Sequence, residues 1–153
     1  MFATTLLPTV DAQEYLVLNN TDGSNGASQA LPNSNILNVE SIFDNIGSAT
    51  YVAYCFAEVE GFSNFGSYVG TGTTEGQLVV TGFEPAFVMW KKTSNSTSAH
   101  WNIVDNKRSP LKDKNNVLYS NLSSAEDVTS YDLIDFNENG FQVKAPYSQF
   151  NES

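Results

Sequence analysis

Short apolar runs separated by turn residues recur along this chain, and within them apolar and polar positions alternate with a period of two. That period predicts strands rather than helices. The runs fall at 15–18, 36–43, 51–59, 65–72, 77–81, 86–92, 101–105, 117–120, 131–136 and 141–144. Polar clusters rich in Asn, Gly, Ser and Thr lie between them, at 19–28 and 93–99 for example. Asn139-Gly140 reads as a two-residue hairpin turn between the last two runs. Ser123, with Glu126 three residues on, carries a capping pattern for a single helical turn. The expected architecture is all-β: an antiparallel β-sandwich, jelly-roll or lectin-like, of about nine or ten short strands.

The densest of these patterns is Tyr51-Val-Ala-Tyr-Cys-Phe-Ala-Glu-Val, followed by Gly61 and a second aromatic segment through Tyr68. Alternation places Tyr51, Ala53, Cys55, Ala57 and Val59 on one face and Val52, Tyr54, Phe56 and Glu58 on the other. The run is apolar on both faces, which predicts a central core strand beside 86–90 or 101–105. The single cysteine, Cys55, is expected as a buried structural thiol between two large aromatics. Residues 1–13, interrupted by Pro8, read as an arm or an edge strand. Residues 14–145 read as one sandwich domain, and 146–153 as a loosely held tail.

Composition narrows the function classes. The chain has 153 residues, 41% hydrophobic and only 16% charged, so it can bury a core without a metal or a disulfide. The formal net charge of -10 disfavours nucleic acid and anionic membrane surfaces as partners. The bases are unevenly spread: Lys91, Lys92, Lys107, Arg108, Lys112 and Lys114 face only Asp105 and Asp113 in the same window, a local excess of four positive charges. No apolar run approaches a membrane span, and the N-terminal residues lack the basic start of a signal peptide. No Cys/His spacing fits zinc, and no cofactor motif is present.

Candidate chemistry is sparse. Glu58 and Glu60 are the best-placed carboxylate pair, and solvated edge charges are the competing reading. Asp135-Phe-Asn-Glu-Asn-Gly alternates oxygen ligands before a glycine, but a hairpin explains it better than calcium. No catalytic and no metal-binding residues are expected. Trp101, Asn102, Asp105, Arg108 and Tyr119 form the candidate surface for a glycan or a partner protein. The two aromatics would supply flat faces to sugar rings, and the other three hydrogen-bonding edges. Core packing of Trp90 and Trp101 is the competing reading.

Two parts of the chain echo one another. Tyr15-Leu-Val-Leu-Asn-Asn-Thr followed by Val39-Glu-Ser-Ile-Phe is matched by Val117-Leu-Tyr-Ser-Asn-Leu-Ser followed by Gly140-Phe-Gln-Val. The ordered signatures are the aromatic stretch 51–68, Thr81-Gly-Phe-Glu-Pro-Ala-Phe-Val-Met, Trp101-Asn-Ile-Val-Asp-Asn-Lys-Arg-Ser-Pro and Asn139-Gly-Phe-Gln-Val-Lys. Together they resemble a repeated β-sandwich module of tail-fibre and other virion structural proteins of marine and cyanobacterial bacteriophages. The resemblance covers roughly residues 14 to 145. It implies a non-enzymatic virion component, assembled in the bacterial host cytoplasm, that serves host attachment or appendage assembly. It also implies self-association, expected as a homotrimer, and contacts with other virion proteins or a host surface glycan. Capsid decoration, as a head fibre or cement protein, and a glycan-binding lectin-like domain are the alternatives.

Overall fold

The computed structural model describes residues 2–3, 13–16, 18, 21–22, 25–27, 50, 52, 54–94, 99–108, 115–128, 132–144, 147 and 149–152. Among these the chain is all-β, with no helix. Ten strands run in the order β1 (Phe2–Ala3), β2 (Gln13–Leu16), β3 (Asn25–Ala27), β4 (Leu78–Val80), β5 (Phe87–Trp90), β6 (Asn102–Asp105), β7 (Asn116–Tyr119), β8 (Asp127–Val128), β9 (Ile134–Asn137) and β10 (Gly140–Val143). Every pairing is antiparallel. The fold is the expected antiparallel β-sandwich.

One layer of the sandwich is the sheet β4-β10-β9, and the other is β5-β6-β7-β8. A third small sheet, β1-β2-β3, contains the first residues as an edge strand. The polar stretch 19–28 contains β3 rather than loop alone. The strand expected at 36–43 lies outside the described residues.

Alternation decides the faces. On the four-stranded sheet Val88, Trp90, Val104 and Val117 point inward; on the three-stranded sheet Phe141, Val143, Ile134 and the preceding Leu133 do. These eight side chains form the core between the layers, with Tyr68, Val79, Tyr119, Phe136 and Phe150 packed around it. Burial of aliphatic and aromatic side chains of this size stabilises a fold by about 1.5–3 kcal/mol each.

Four expectations require correction. The described residues of 51–59 form no core strand. Val52, Tyr54, Phe56 and Val59 are exposed, and among the described residues β5, their expected neighbour, pairs only with β6. Instead the chain folds back on itself at Gly61. Val59 N–H donates to Ser63 O and Ser63 N–H to Val59 O, both at 2.9 Å, closing a hairpin-like turn with no further sheet partner among the described residues. Cys55 is accordingly an exposed thiol, not a buried one. The stretch 65–72, expected as the next strand, contains no described strand.

The third correction is at 122–126, which holds no helical turn; the chain passes in irregular form into β8. The fourth is the C-terminal tail, which is not loosely held. Phe150 packs on Trp90 with ring centroids 5.6 Å apart, and the Tyr68 hydroxyl donates to Phe150 O at 2.6 Å. Asn151 is almost fully buried. Its Oδ1 accepts the Thr71 N–H at 2.6 Å and its Nδ2 donates to Thr73 O at 2.6 Å. The tail therefore clamps the loop that leads into β4.

Candidate functional site

The five residues expected to form a binding surface sit just before β6, on β6, on β7 and in the turn after β6, but not on one open face. Trp101 is buried, its ring under the Lys91 ammonium at 5.8 Å. Its backbone is held by Asn121 Oδ1, which accepts the Trp101 N–H at 3.1 Å. Asn102 points into the core and is 0% exposed, its Nδ2 donating to His100 O at 2.9 Å. Neither the indole face nor this amide reaches the surface. For the amide the cause is the register, since Trp90 pairs with Asn102 and both stand on the inward face of the sheet; Trp101, one residue earlier, faces the other side, where Lys91 lies over its ring.

Asp105 and Arg108 do come together, in a cluster completed by Glu126 and Asn116. Asp105 Oδ1 accepts the backbone N–H groups of Lys107 and Arg108 at 2.9 and 2.8 Å, which shapes the turn. The Arg108 guanidinium donates to Asp105 Oδ2, to Glu126 Oε1 at 2.6 Å and to Ile103 O at 3.3 Å. Asn116 Nδ2 bridges Glu126 Oε2 and Arg108 O. Partial burial works against the charged Asp105 carboxylate, but the hydrogen bonds from Arg108 and Lys107 outweigh it and hold Asp105 below the usual carboxylate range. The guanidinium is thus engaged within the chain, tying the turn after β6 to the segment before β8. Arg108→Ala is expected to lower stability by about 1–2 kcal/mol. Arg108→Lys should recover little of that, since one ammonium cannot reproduce the fork. Urea titration of both variants checks this.

Tyr119 is half-buried. Its ring lies 5.2 Å from that of His100, and its hydroxyl donates to Asp127 Oδ2 at 3.1 Å. Burial, then that hydrogen bond and the nearby carboxylate charge, push its phenol up to about 12. Burial also pushes the Tyr68 phenol well above its ordinary value of 10.0. The folded state therefore prefers both phenols neutral. Their contribution to stability is intact below pH 10 and is lost as pH rises from there through the folded values. An absorbance titration of phenolate should find two of the tyrosines ionising late, together with unfolding. Phe substitution at Tyr119 should remove one late step.

Two surfaces carry exposed apolar side chains. The first is the hairpin segment around Gly61. Tyr54 is 78% exposed and Phe62, at its tip, 80%; Val52, Phe56, Val59, Phe65 and Val69 are also largely exposed. At its base Tyr68 anchors it to the core, edge-on to Phe141 at 6.4 Å. The second is the outer face of the four-stranded sheet. Because Val88, Val104 and Val117 point inward, Phe87, Met89, Ile103 and Leu118 point outward. Register aligns Met89, Ile103 and Leu118 in one row across three strands. Val128, opposite Asn116, extends that face and is 70% exposed, but Asp105 and Asn116, joined through Arg108 and Glu126, stand on the same face between Phe87 and Val128, and Met89 and Ile103 are half-buried. The sequence signal for the first surface was the aromatic density itself. The second was legible only as the outward half of each alternation.

Other candidate chemistry is dispersed. Glu58 and Glu60 are both exposed, and Glu58 Oε1 accepts the Phe65 N–H at 3.4 Å. Among the described residues no three His, Cys, Asp or Glu side chains gather as a metal site. No helix among them is long and apolar enough to cross a membrane. A shallow hollow of about 390 Å³ lies on the outer side of the β9–β10 hairpin, lined by Leu78, Asn137, Glu138, Asn139 and Gln142.

No curated protein and no solved structure matches this chain. One family model does, described as Domain of unknown function (DUF7483), and because it matches residues 2–153 the chain belongs to that family.

Proposed function

We infer that this chain is a non-enzymatic structural module of a bacteriophage virion, a fibre or appendage module that works through surface complementarity in host attachment or appendage assembly. The observation that carries the reading is the exposed aromatic hairpin segment. Isolated chains rarely display a contiguous apolar patch beyond a few hundred Å², and larger ones mark interaction surfaces. The antiparallel sandwich and the resemblance of 14–145 to phage fibre modules point the same way. The partners in this reading are other virion proteins and further copies of the chain, with a homotrimer the expected assembly.

The test is the place of the protein on purified particles. Antibody labelling and quantitative gels should find it on tail or head appendages, and the purified protein should compete with phage adsorption. A high fixed copy number spread over the capsid would favour decoration instead. Absence from particles would end both versions. A glycan ligand is a second reading, favoured by the amide-lined hollow beside the β9–β10 hairpin. Three amides and a carboxylate there match the hydroxyl-rich edge of a sugar. A glycan array on wild type and on Gln142→Ala would check it.

A further inference from the structure

We propose that a single internal water molecule is a fixed part of this fold, bound inside the sandwich between Trp90 on β5 and Asn102 on β6, where it accepts from the indole N–H and donates to the carboxamide oxygen. The site lies apart from the exposed surfaces and does not depend on the virion reading.

Trp90 Nε1 and Asn102 Oδ1 are both closed to solvent, and neither has a hydrogen-bond partner among the described residues. Orphan polar atoms of this kind are rare in folded proteins, because each has lost its hydration and gained no partner. Here two of them occur together. Register pairs Trp90 with Asn102 across β5 and β6, and both side chains stand on the inward face of the sheet. Cross-strand neighbours hold their Cβ atoms about 4.5–5.5 Å apart, so the two polar ends share one part of the interior.

Which atom donates and which accepts is fixed. An indole nitrogen only donates. A carboxamide has two orientations, but Asn102 Nδ2 donates to His100 O at 2.9 Å. A carbonyl oxygen only accepts, so the amide nitrogen must be on that side and Oδ1 is the atom left over. Turning the amide round would set two oxygens against each other.

This pair of atoms selects its occupant. An indole N–H repels a cation, and a carboxamide oxygen repels an anion. The bridge must accept one hydrogen bond, donate another and be small, and water meets all three conditions. Buried waters typically make about two to four hydrogen bonds to groups that would otherwise be unpaired. The surroundings isolate the site. Phe150 packs on the Trp90 ring with centroids 5.6 Å apart. Asn102 and Val104, neighbours on the inward face of β6, are both 0% exposed. An occupant is therefore held inside rather than shared with the surface. It joins β5 to β6 at the residue pair over which the C-terminal segment lies.

The test is nuclear magnetic resonance of the full chain labelled with 15N, with solvent water as the probe. The two indole Hε1 signals belong to Trp90 and Trp101, and Trp90 is told apart by ring cross-peaks to Phe150. A tightly held water gives cross-peaks of opposite sign in laboratory-frame and rotating-frame Overhauser spectra, whereas proton exchange with bulk gives the same sign in both. The opposite-sign pattern is expected at Trp90 Hε1 and at the Asn102 Hδ2 protons of the wild type. Asn102→Leu removes the acceptor and should weaken the water peak at Trp90 Hε1 roughly fivefold or more, because one polar partner does not hold a buried water. No water peak at Trp90 Hε1, or a same-sign exchange peak there, would overturn the site. A peak at Trp90 that Asn102 does not share, or that persists undiminished in Asn102→Leu, would overturn the bridge. The wild-type pattern alone decides the matter if Asn102→Leu does not fold.

Discussion

Asn115→Ala should cost about 3 kcal/mol, more than any substitution on the open surfaces, although Asn115 is a polar residue beside a basic loop. Its side chain is buried and acts as a backbone surrogate. Oδ1 accepts the Leu133 N–H at 2.6 Å and the Ile134 N–H at 2.8 Å, and Nδ2 donates to Ile134 O at 3.2 Å. These groups begin β9, where Leu133 and Ile134 both enter the core. Leu133 O accepts the Lys144 N–H at 2.8 Å, but β9 is the outer strand of its sheet, so among the described residues no strand lies beyond it to pair with the neighbouring N–H groups and Ile134 O. The amide supplies that partner. Truncation leaves two N–H groups and a carbonyl unpaired inside the protein, at roughly 1–3 kcal/mol for each group that finds no substitute. Urea unfolding should show the midpoint lowered by roughly 1–2 M, given a typical slope for a domain of this size. A shift below a few tenths of a molar would show that water replaces the amide and that this end of β9 is open.

That residue also marks where reading the sequence stops. Alternation placed β4, β5, β6, β7, β9 and β10, because each pairs one buried face with turn residues at its ends. It could not distinguish Asn115 or Asn151, both buried clamps, from the polar residues of ordinary loops. Their partners lie 18 and 80 positions away in the chain. Arg108 and Glu126 were separately visible as a basic window and a helix-start pattern. Their salt bridge, which takes up the guanidinium, was not. The same limit explains the reversal at 51–59. An apolar run states that a surface is to be covered, but not which surface covers it. Trp101 failed as an open sugar platform for another reason: it stands one residue before inward-facing Asn102, so alternation turns it to the outer side of the sheet, and there the Lys91 side chain lies over its ring.

The hairpin between β9 and β10 supplies the second large effect. Asn139-Gly140 looked like the turn itself, but the register pairs Asn137 with Gly140, so Glu138 and Asn139 form the loop and Gly140 opens β10. The glycine is needed there because three strands meet tightly. A Cβ at Gly140 would lie 2.0 Å from Val79 O and 3.0 Å from Val79 C, backbone atoms that no rotamer change can move. Gly140→Ala must push β10 away from β4, breaking the pairing of Phe141 with Val79 beside the core. It must also disturb Asn139 O, which accepts the Thr81 N–H at 3.0 Å. The expected loss is about 3 kcal/mol, in the range of severe overpacking, or roughly 6–12 °C in Tm for a chain of this length. Gly61→Ala is the control. Its φ is +72°, yet nothing lies within 4 Å of the added Cβ, so only the conformational cost of about 1 kcal/mol applies. Equal losses at the two positions would mean that conformation, not the approach of β4, fixes Gly140. A much larger loss at Gly140 ties the glycine to the joint between β4 and β10, which holds the three-stranded layer of the sandwich together.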